Sequence, residues 1–258
     1  MWRLILRKHQ STIKRWIAGL LIITANSALA AGQLTSSSEA TTVLELYTSE
    51  GCSSCPPADQ YVTQLVNHPQ LWNEVIPLVF HVDYWDYIGW KDQFASSEYS
   101  QRQRKHRSLG NVRSVYTPGF VVDGKEWRGW FSRNNLLPTN NKKPGVLKLN
   151  ISEPGFSAQF DAEGSVDWSE LKLNIALLGA GFQSKVKAGE NRGKILQHDF
   201  VVLSLKSYSP SNGEWQGQLP ALTAKSQGAE RLAWVAWLSG RNNKPIQAVG
   251  NWRDLVLK

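Results

Sequence analysis

The sequence is poor in residues that bind metals: its 258 residues include two cysteines, one methionine and five histidines. A structural zinc site usually takes four ligands, often from two cysteine pairs, and this chain has no second pair. The histidines do not help, because no two of them stand at a spacing typical of metal ligands. These are His9, His68, His81, His106 and His198. We therefore expect neither a structural zinc nor a cofactor.

The sequence also lacks an apolar run of the roughly 20 residues that a membrane-spanning helix needs. The apolar stretch at residues 16–23 follows five basic residues and leads into Ala28-Leu29-Ala30, which is the pattern of a secretory signal peptide with its cleavage site. We expect residues 1–30 to be removed before Ala31 and the product to be periplasmic or secreted, with no membrane span. An uncleaved anchor is the alternative.

Little positive charge remains once this leader is set aside. The leader holds five bases and no acid, so its removal lowers the formal net charge from +8 to +3. Such a balance argues against nucleic acid as a partner. The one dense basic patch left, residues 102–107, is predicted to be the solvated face of a helix. Docking of an acidic protein there is the alternative.

The two cysteines that are present form the motif Gly51-Cys52-Ser53-Ser54-Cys55-Pro56, directly after an apolar run at residues 42–47. A two-residue spacer places both sulfurs at the start of a helix, where free N–H groups and the helix dipole favour thiolate over thiol. We expect Cys52 to be exposed and to attack, and Cys55 to be buried and to resolve. An inert disulfide, or Cu(I) binding by both thiolates with His81, is the alternative.

The pattern of the chain changes near residue 140. Before it, the order of runs predicts strand, helix, strand, helix, strand, strand, with a short final helix near residues 132–137. The predicted first two strands are parallel neighbours, and the last two form a hairpin at Asp123-Gly124. After a polar linker with two prolines, eight short alternating runs with turn signals predict a β-sandwich.

This order resembles that of a thioredoxin-like domain. We therefore predict an α/β thioredoxin-like domain with a mixed sheet at residues 31–140, followed by an all-β sandwich domain at residues 145–258. The resemblance implies a cis-proline before the third strand, and Thr117-Pro118 stands there. It also implies a buried acid that takes a proton from the resolving cysteine, for which Glu45 is the candidate. Burial would raise the pKa of Glu45.

The second predicted strand ends in an aromatic and acidic segment, which includes His81, Asp83 and Trp85. Because that strand is parallel to the first, its carboxyl end should lie beside the cysteines. His81 and Asp83 share one face of the strand, so both are predicted to approach the sulfurs. Together with Thr117 and Trp85 they are our candidate substrate-binding residues. A histidine hydrogen-bonded in the core is the competing interpretation of His81.

Several of these motifs, taken together, point to one particular protein family. The run from Glu45 through Cys52 and Cys55 to Asp59, then His81 to Asp86, Gly89 to Asp92 and Tyr116-Thr117-Pro118, resembles the secreted thioredoxin-like family called domain of unknown function 1223. The run Gly189-Glu190-Asn191-Arg192-Gly193, with His198 beyond it, is similar to that family too. The resemblance spans most of the mature chain and implies a redox site without an established substrate.

The sequence as a whole predicts an exported thiol-disulfide oxidoreductase whose catalytic residues are Cys52, Cys55, Glu45 and Pro118. Its partner would be a protein thiol or disulfide of unknown identity. Two alternatives remain from the sequence: a periplasmic copper-binding protein that uses the same thiols, and a non-catalytic thioredoxin-like scaffold whose disulfide is structural.

Overall fold

The computed structural model describes residues 31–132, 137–138 and 140–256. The predicted signal peptide, residues 1–30, and most of the predicted final helix near residues 132–137 lie outside this range. The named elements follow in chain order: β1 Ala31–Thr35, β2 Thr42–Thr48, α1 Pro56–Thr63, β3 Val75–His81, α2 Ser97–Ser108, β4 Gly119–Val122, β5 Lys125–Glu126, β6 Gly145–Ser152, β7 Gly155–Ala162, β8 Lys172–Ala180, β9 Phe182–Lys185, β10 Ile195–His198, β11 Val201–Tyr208, β12 Glu214–Gln218, β13 Arg231–Ser239, β14 Pro245–Trp252 and α3 Arg253–Val256.

The largest feature is an eight-stranded sheet with the strand order β14-β13-β8-β11-β3-β2-β4-β5. Strands β2 and β3 are parallel over their whole length, from the pair Thr42 and Val75 to the pair Thr48 and His81. Strand β4 runs antiparallel to β2, and β5 returns beside β4. The predicted parallel pair and the hairpin at Asp123-Gly124 are therefore confirmed.

The predicted fold class, an α/β thioredoxin-like domain followed by a separate all-β sandwich, is wrong. Strand β11 lies parallel to β3, with Val201 opposite Val79, so strands of the second half continue the sheet of the first half. Within the described residues, the two α-helices longer than four residues are α1 with 8 residues and α2 with 12. The chain is a β-rich fold, because far more of its described residues lie in strands than in α-helices.

A second sheet of four strands, in the order β1-β6-β7-β12, packs on the eight-stranded sheet. The sequence encodes this by alternation, since buried and less buried side chains take turns along β6 and β7. Leu147 and Leu149 of β6 belong to the same buried apolar cluster as Ile175 and Leu177 of β8. This cluster is the core of the second half.

A second buried apolar cluster fills the first half and extends past residue 145. Leu46 and Phe80 of the parallel strands share it with Ala176 of β8 and Trp237 of β13. The division into domains at residues 140–145 stays a prediction. What the structure shows is that both of the sheets described above and both apolar clusters contain residues from each side of that position.

Local sequence explains why the two longer helices begin where they do. Helix α1 starts directly after Cys55, with Pro56 and Pro57 in its first turn, where a missing N–H costs no hydrogen bond. Helix α2 is capped by Ser96, whose hydroxyl accepts from the backbone N–H of Glu98. The basic patch on α2 is not uniformly solvated as predicted, because His106 is fully buried and Arg102 is nearly so.

Candidate redox site

The two cysteines form a disulfide at the junction between β2 and α1. Cys55 is the residue that precedes the first turn of α1, and its carbonyl accepts from the N–H of Ala58 and of Asp59. The Ser54 hydroxyl lies 3.3 Å from the Cys52 sulfur. Both cysteines are buried, with 0% exposure, so the predicted exposure of Cys52 is not found.

A segment of the second half is hydrogen-bonded to the backbone around Cys52. We call residues 187–194, between β9 and β10, the covering loop. The fully buried amide of Asn191 donates two hydrogen bonds of 2.9 Å, to the carbonyls of Glu50 and of Cys52. Beside it, Glu190 accepts from the backbone N–H of Ser53 at 3.0 Å. The covering loop is therefore bonded to the backbone on both sides of Cys52.

A groove opens beside the covered disulfide. It has a volume of about 480 Å³, and its lining residues come from the motif, from the segment before β4 and from the turn after β5: Ser54, Pro57, Ser114, Tyr116, Thr117, Pro118, Arg128, Trp130 and Phe131. The Thr117–Pro118 peptide bond is cis, as predicted. The Trp85 indole donates to the Thr117 hydroxyl at 2.7 Å, so the structure brings these two predicted binding residues together.

Glu45 lies elsewhere, and its surroundings differ from the prediction. Its carboxylate accepts two hydrogen bonds from Arg102, at 2.9 and 2.6 Å, and one from the Tyr47 hydroxyl at 2.6 Å, while His106 lies 3.4 Å away. Burial alone would raise the pKa of Glu45, but Arg102 and His106 together hold it well below its ordinary range. The predicted rise is therefore wrong, and Glu45 is an ionised partner of α2.

His81 and Asp83 do not act as a pair. The Nδ1 atom of His81 lies 2.7 Å from an oxygen of Asp92, and both side chains are fully buried. Asp83 turns to α2 instead, where it is hydrogen-bonded to the Ser100 hydroxyl. The partner of His81 is thus Asp92, at the far end of the aromatic and acidic segment, and not Asp83 as predicted.

Sequence reasoning missed a buried acid in the first turn of α1. Asp59 is buried on α1, one turn after Cys55, and one of its oxygens accepts from the Thr48 hydroxyl at 3.0 Å. Burial raises the pKa of Asp59 to about 7, although His198 and the Thr48 hydrogen bond act to lower it. The available signal was its spacing, because residues four apart share one helix face.

No group of three or more His, Cys, Asp and Glu residues that could hold a metal ion occurs in the described part of the chain. Copper binding by Cys52, Cys55 and His81 stays a prediction. Over the same residues, no helix has the length and apolar character to cross a membrane.

Fold and site together define a β-rich protein with a buried, covered Cys-x-x-Cys disulfide. Residues 43–238 match the family described as Protein of unknown function (DUF1223), and the chain belongs to that family. No curated protein sequence matches the chain significantly.

Two solved structures resemble this chain. Protein AGR_C_4864 from Agrobacterium tumefaciens is 23% identical over 83% of this chain and 94% of that one, with a TM-score of 0.54, a likeness that concerns the fold alone. HBP35 of Porphyromonas gingivalis is 15% identical over 84% of this chain and 76% of that one, with a TM-score of 0.48.

Proposed function

We propose that this protein is a thiol-disulfide oxidoreductase that acts through Cys52 and Cys55. The observation that carries the proposal is the disulfide at the first turn of α1, with the Ser54 hydroxyl 3.3 Å from the Cys52 sulfur. A helix start and a hydroxyl donor both favour thiolate over thiol, and the thiolate is the species that exchanges.

When the protein oxidises a substrate dithiol, a thiolate of the substrate attacks the Cys52 sulfur, and the bond between Cys52 and Cys55 breaks. A mixed disulfide with Cys52 results, and Cys55 leaves as a thiolate that takes up a proton. A second substrate thiolate then attacks the substrate sulfur of the mixed disulfide and releases Cys52. Two electrons pass from the substrate dithiol to the cysteine pair, and a substrate disulfide forms. The same steps in reverse reduce a substrate disulfide.

We expect access to Cys52 to require movement of the covering loop, because the cysteine is buried and the loop is hydrogen-bonded to its carbonyl. The groove at Thr117 and Pro118 lies next to the motif and would receive the polypeptide that carries the reacting sulfur. Its exposed Phe131 and the guanidinium of Arg128, 5.8 Å from that ring, suit an aromatic or acidic side chain of the partner.

The test uses the mature chain with either cysteine replaced by serine. Cys55→Ser should accumulate a mixed disulfide on Cys52 when it is mixed with oxidised glutathione, and Cys52→Ser should not, as read by mass spectrometry. Equal trapping by both variants would contradict the roles assigned here.

A second measurement tests whether the Cys52–Cys55 disulfide is redox-active. Equilibration of the wild-type couple with glutathione gives its reduction potential, and a value below about −300 mV would mark a structural disulfide and overturn the proposal. Metal analysis of the reduced wild type, in the same series, tests the copper alternative.

A further inference from the structure

Buried polar atoms without a hydrogen-bonding partner are concentrated beside the disulfide. Among the described residues ten such side-chain atoms occur, and five of them belong to four residues: Glu50, Asp59, His81 and His198. Leaving one such atom unpaired costs about 1–3 kcal/mol, so a fold tolerates a concentration of them chiefly where chemistry requires it. We call these four residues together with Asp92 the buried acid-histidine cluster.

Three members of the cluster, Glu50, Asp59 and His81, each have one side-chain polar atom that is hydrogen-bonded and one that is not. Trp90 donates to one oxygen of Glu50 at 2.7 Å, and Thr48 donates to one oxygen of Asp59. In each carboxylate the other oxygen is unpartnered. Likewise His81 is held by Asp92 through Nδ1, while its Nε2 atom is free of a hydrogen bond.

His198, from β10, occupies the space between these groups. Its Nε2 atom lies 3.3 Å from the free oxygen of Glu50, without the alignment of a hydrogen bond. Its ring centre lies 4.9 Å from that of His81. Neither of its nitrogens has a hydrogen-bonding partner, so a small rotation of the ring would let it take or give a proton.

The cluster is joined to the cysteines through the backbone. The N–H of Asp59 donates to the Cys55 carbonyl at 3.1 Å, and Asn191 bridges the carbonyls of Glu50 and Cys52. A change in charge at Cys55 therefore occurs within one helical turn of Asp59, in a buried environment where electrostatic interactions are strong.

We propose that the buried acid-histidine cluster exchanges protons with Cys55 as the disulfide opens and closes, with Asp59, one helical turn from Cys55, as the direct partner and His198 as its link to Glu50 and to His81. The inference rests on the proposed function. When a substrate thiolate opens the disulfide, the Cys55 thiolate takes a proton from Asp59, and the cluster regains that proton from solvent. On closing, the proton returns to the Asp59 carboxylate.

Other groups define the field in which this exchange occurs. The charged residues that act on Asp59 are Glu50, Asp92 and His198, and Thr48 donates to it. Asp92 is in turn held by His81, accepts from the backbone N–H of Glu50, and interacts with Lys225 across the fold. The last of these charged groups is Asp86, which accepts a hydrogen bond from the backbone N–H of Asp92.

The test compares Asp59→Asn and His198→Gln with His68→Gln, which makes the same histidine change at an exposed site. The rate of resolution of a glutathione mixed disulfide is followed from pH 5 to 9. We expect Asp59→Asn to lose at least about tenfold at pH 7, as for a positioned acid or base, and to lose the inflection near neutral pH. His198→Gln should shift that inflection. Profiles like that of His68→Gln in both variants would overturn the proposal.

A measurement on the wild type keeps the inference testable if a variant fails to fold. Carboxyl-carbon NMR titrations of the oxidised protein and of the protein reduced with a phosphine should give different midpoints for Asp59, and equal midpoints would overturn the proposal. This readout needs no exchange activity, so failure of the proposed function alone would leave the difference in midpoints intact. A stoichiometric metal that is lost in His198→Gln would overturn the proton role in favour of a metal centre.

Discussion

Two buried polar clusters lie on opposite faces of the same strand, β2, and they differ in how completely their members are partnered. On one face Glu45 is held by Arg102 and Tyr47. On the other, Thr48 points to Asp59, whose second oxygen is unpartnered. Side chains alternate along a strand, so a separation of three residues places Glu45 and Thr48 on opposite faces.

The difference shows how burial alone fails to identify a chemically active carboxyl group. Both acids are buried, yet the pKa of Glu45 is held below its ordinary range by its cationic partners, while that of Asp59 is raised to about 7. A fully partnered acid fixes two elements together and resists a change of charge. A half-partnered acid can change its charge near neutral pH.

The largest effect is expected when the partnered cluster is broken. Glu45→Gln leaves the buried guanidinium of Arg102 without its counter-charge, which should cost about 3–5 kcal/mol of unfolding free energy at pH 7. Urea denaturation measures this, with exposed Glu39→Gln as the matched control. Because Glu45 does not touch the cysteines, thiol exchange by the folded variant should keep its rate. A stability within about 1 kcal/mol of the control would contradict the assignment.

The next effect concerns the half-partnered cluster and depends on pH. The pKa of Asp59 is higher in the folded chain than in the unfolded chain. Its contribution to the free energy of unfolding is therefore fully present below about pH 4 and is lost as pH rises through about 7. Asp59→Asn removes this loss. The difference in unfolding free energy between Asp59→Asn and the wild type should therefore shift in favour of the variant by up to about 4 kcal/mol between pH 4 and 8. A difference that stays constant with pH would contradict the raised pKa.

The smallest effect concerns access to the site. Asn191→Ala removes two of the three hydrogen bonds described above between the covering loop and the backbone around Cys52, at a cost of about 1–3 kcal/mol. Alkylation of reduced Cys52 by iodoacetamide should then be about tenfold faster, which corresponds to about 1.4 kcal/mol of easier opening. Arg192→Ala, at the exposed neighbouring position, is the control. Equal alkylation rates would show that the loop does not limit access.

The sequence predicted local structure well where short-range patterns decide it. The strand after Pro118, the helix that follows Cys55 and the parallel pair β2 and β3 were found close to where they were expected. Alternation also tells which residues share a face of a strand. It does not tell which helix covers that face, so it could not correct the role of Glu45 that the thioredoxin-like resemblance implied.

What the sequence could not give depends on contacts between distant residues. Arg102 lies 57 positions from Glu45, and as part of a basic run it gave no sign of burial. His198 belongs to β10, a strand of four residues whose apolar pattern is too short to predict it. The fold class failed for the same reason, since nothing local indicates that β11 pairs with β3.

The pairing of β11 with β3 has a consequence for shortened forms of the chain. Strand β3 is buried along its length and is mostly apolar. One of its edges is covered by β11, and the N–H of Val79 donates a hydrogen bond of 2.9 Å to the Phe200 carbonyl just before β11. A fragment that ends near residue 145 would leave that edge bare. Open, apolar strand edges pair with strands of other molecules and promote aggregation. We therefore expect the second half to prevent self-association at this edge of β3.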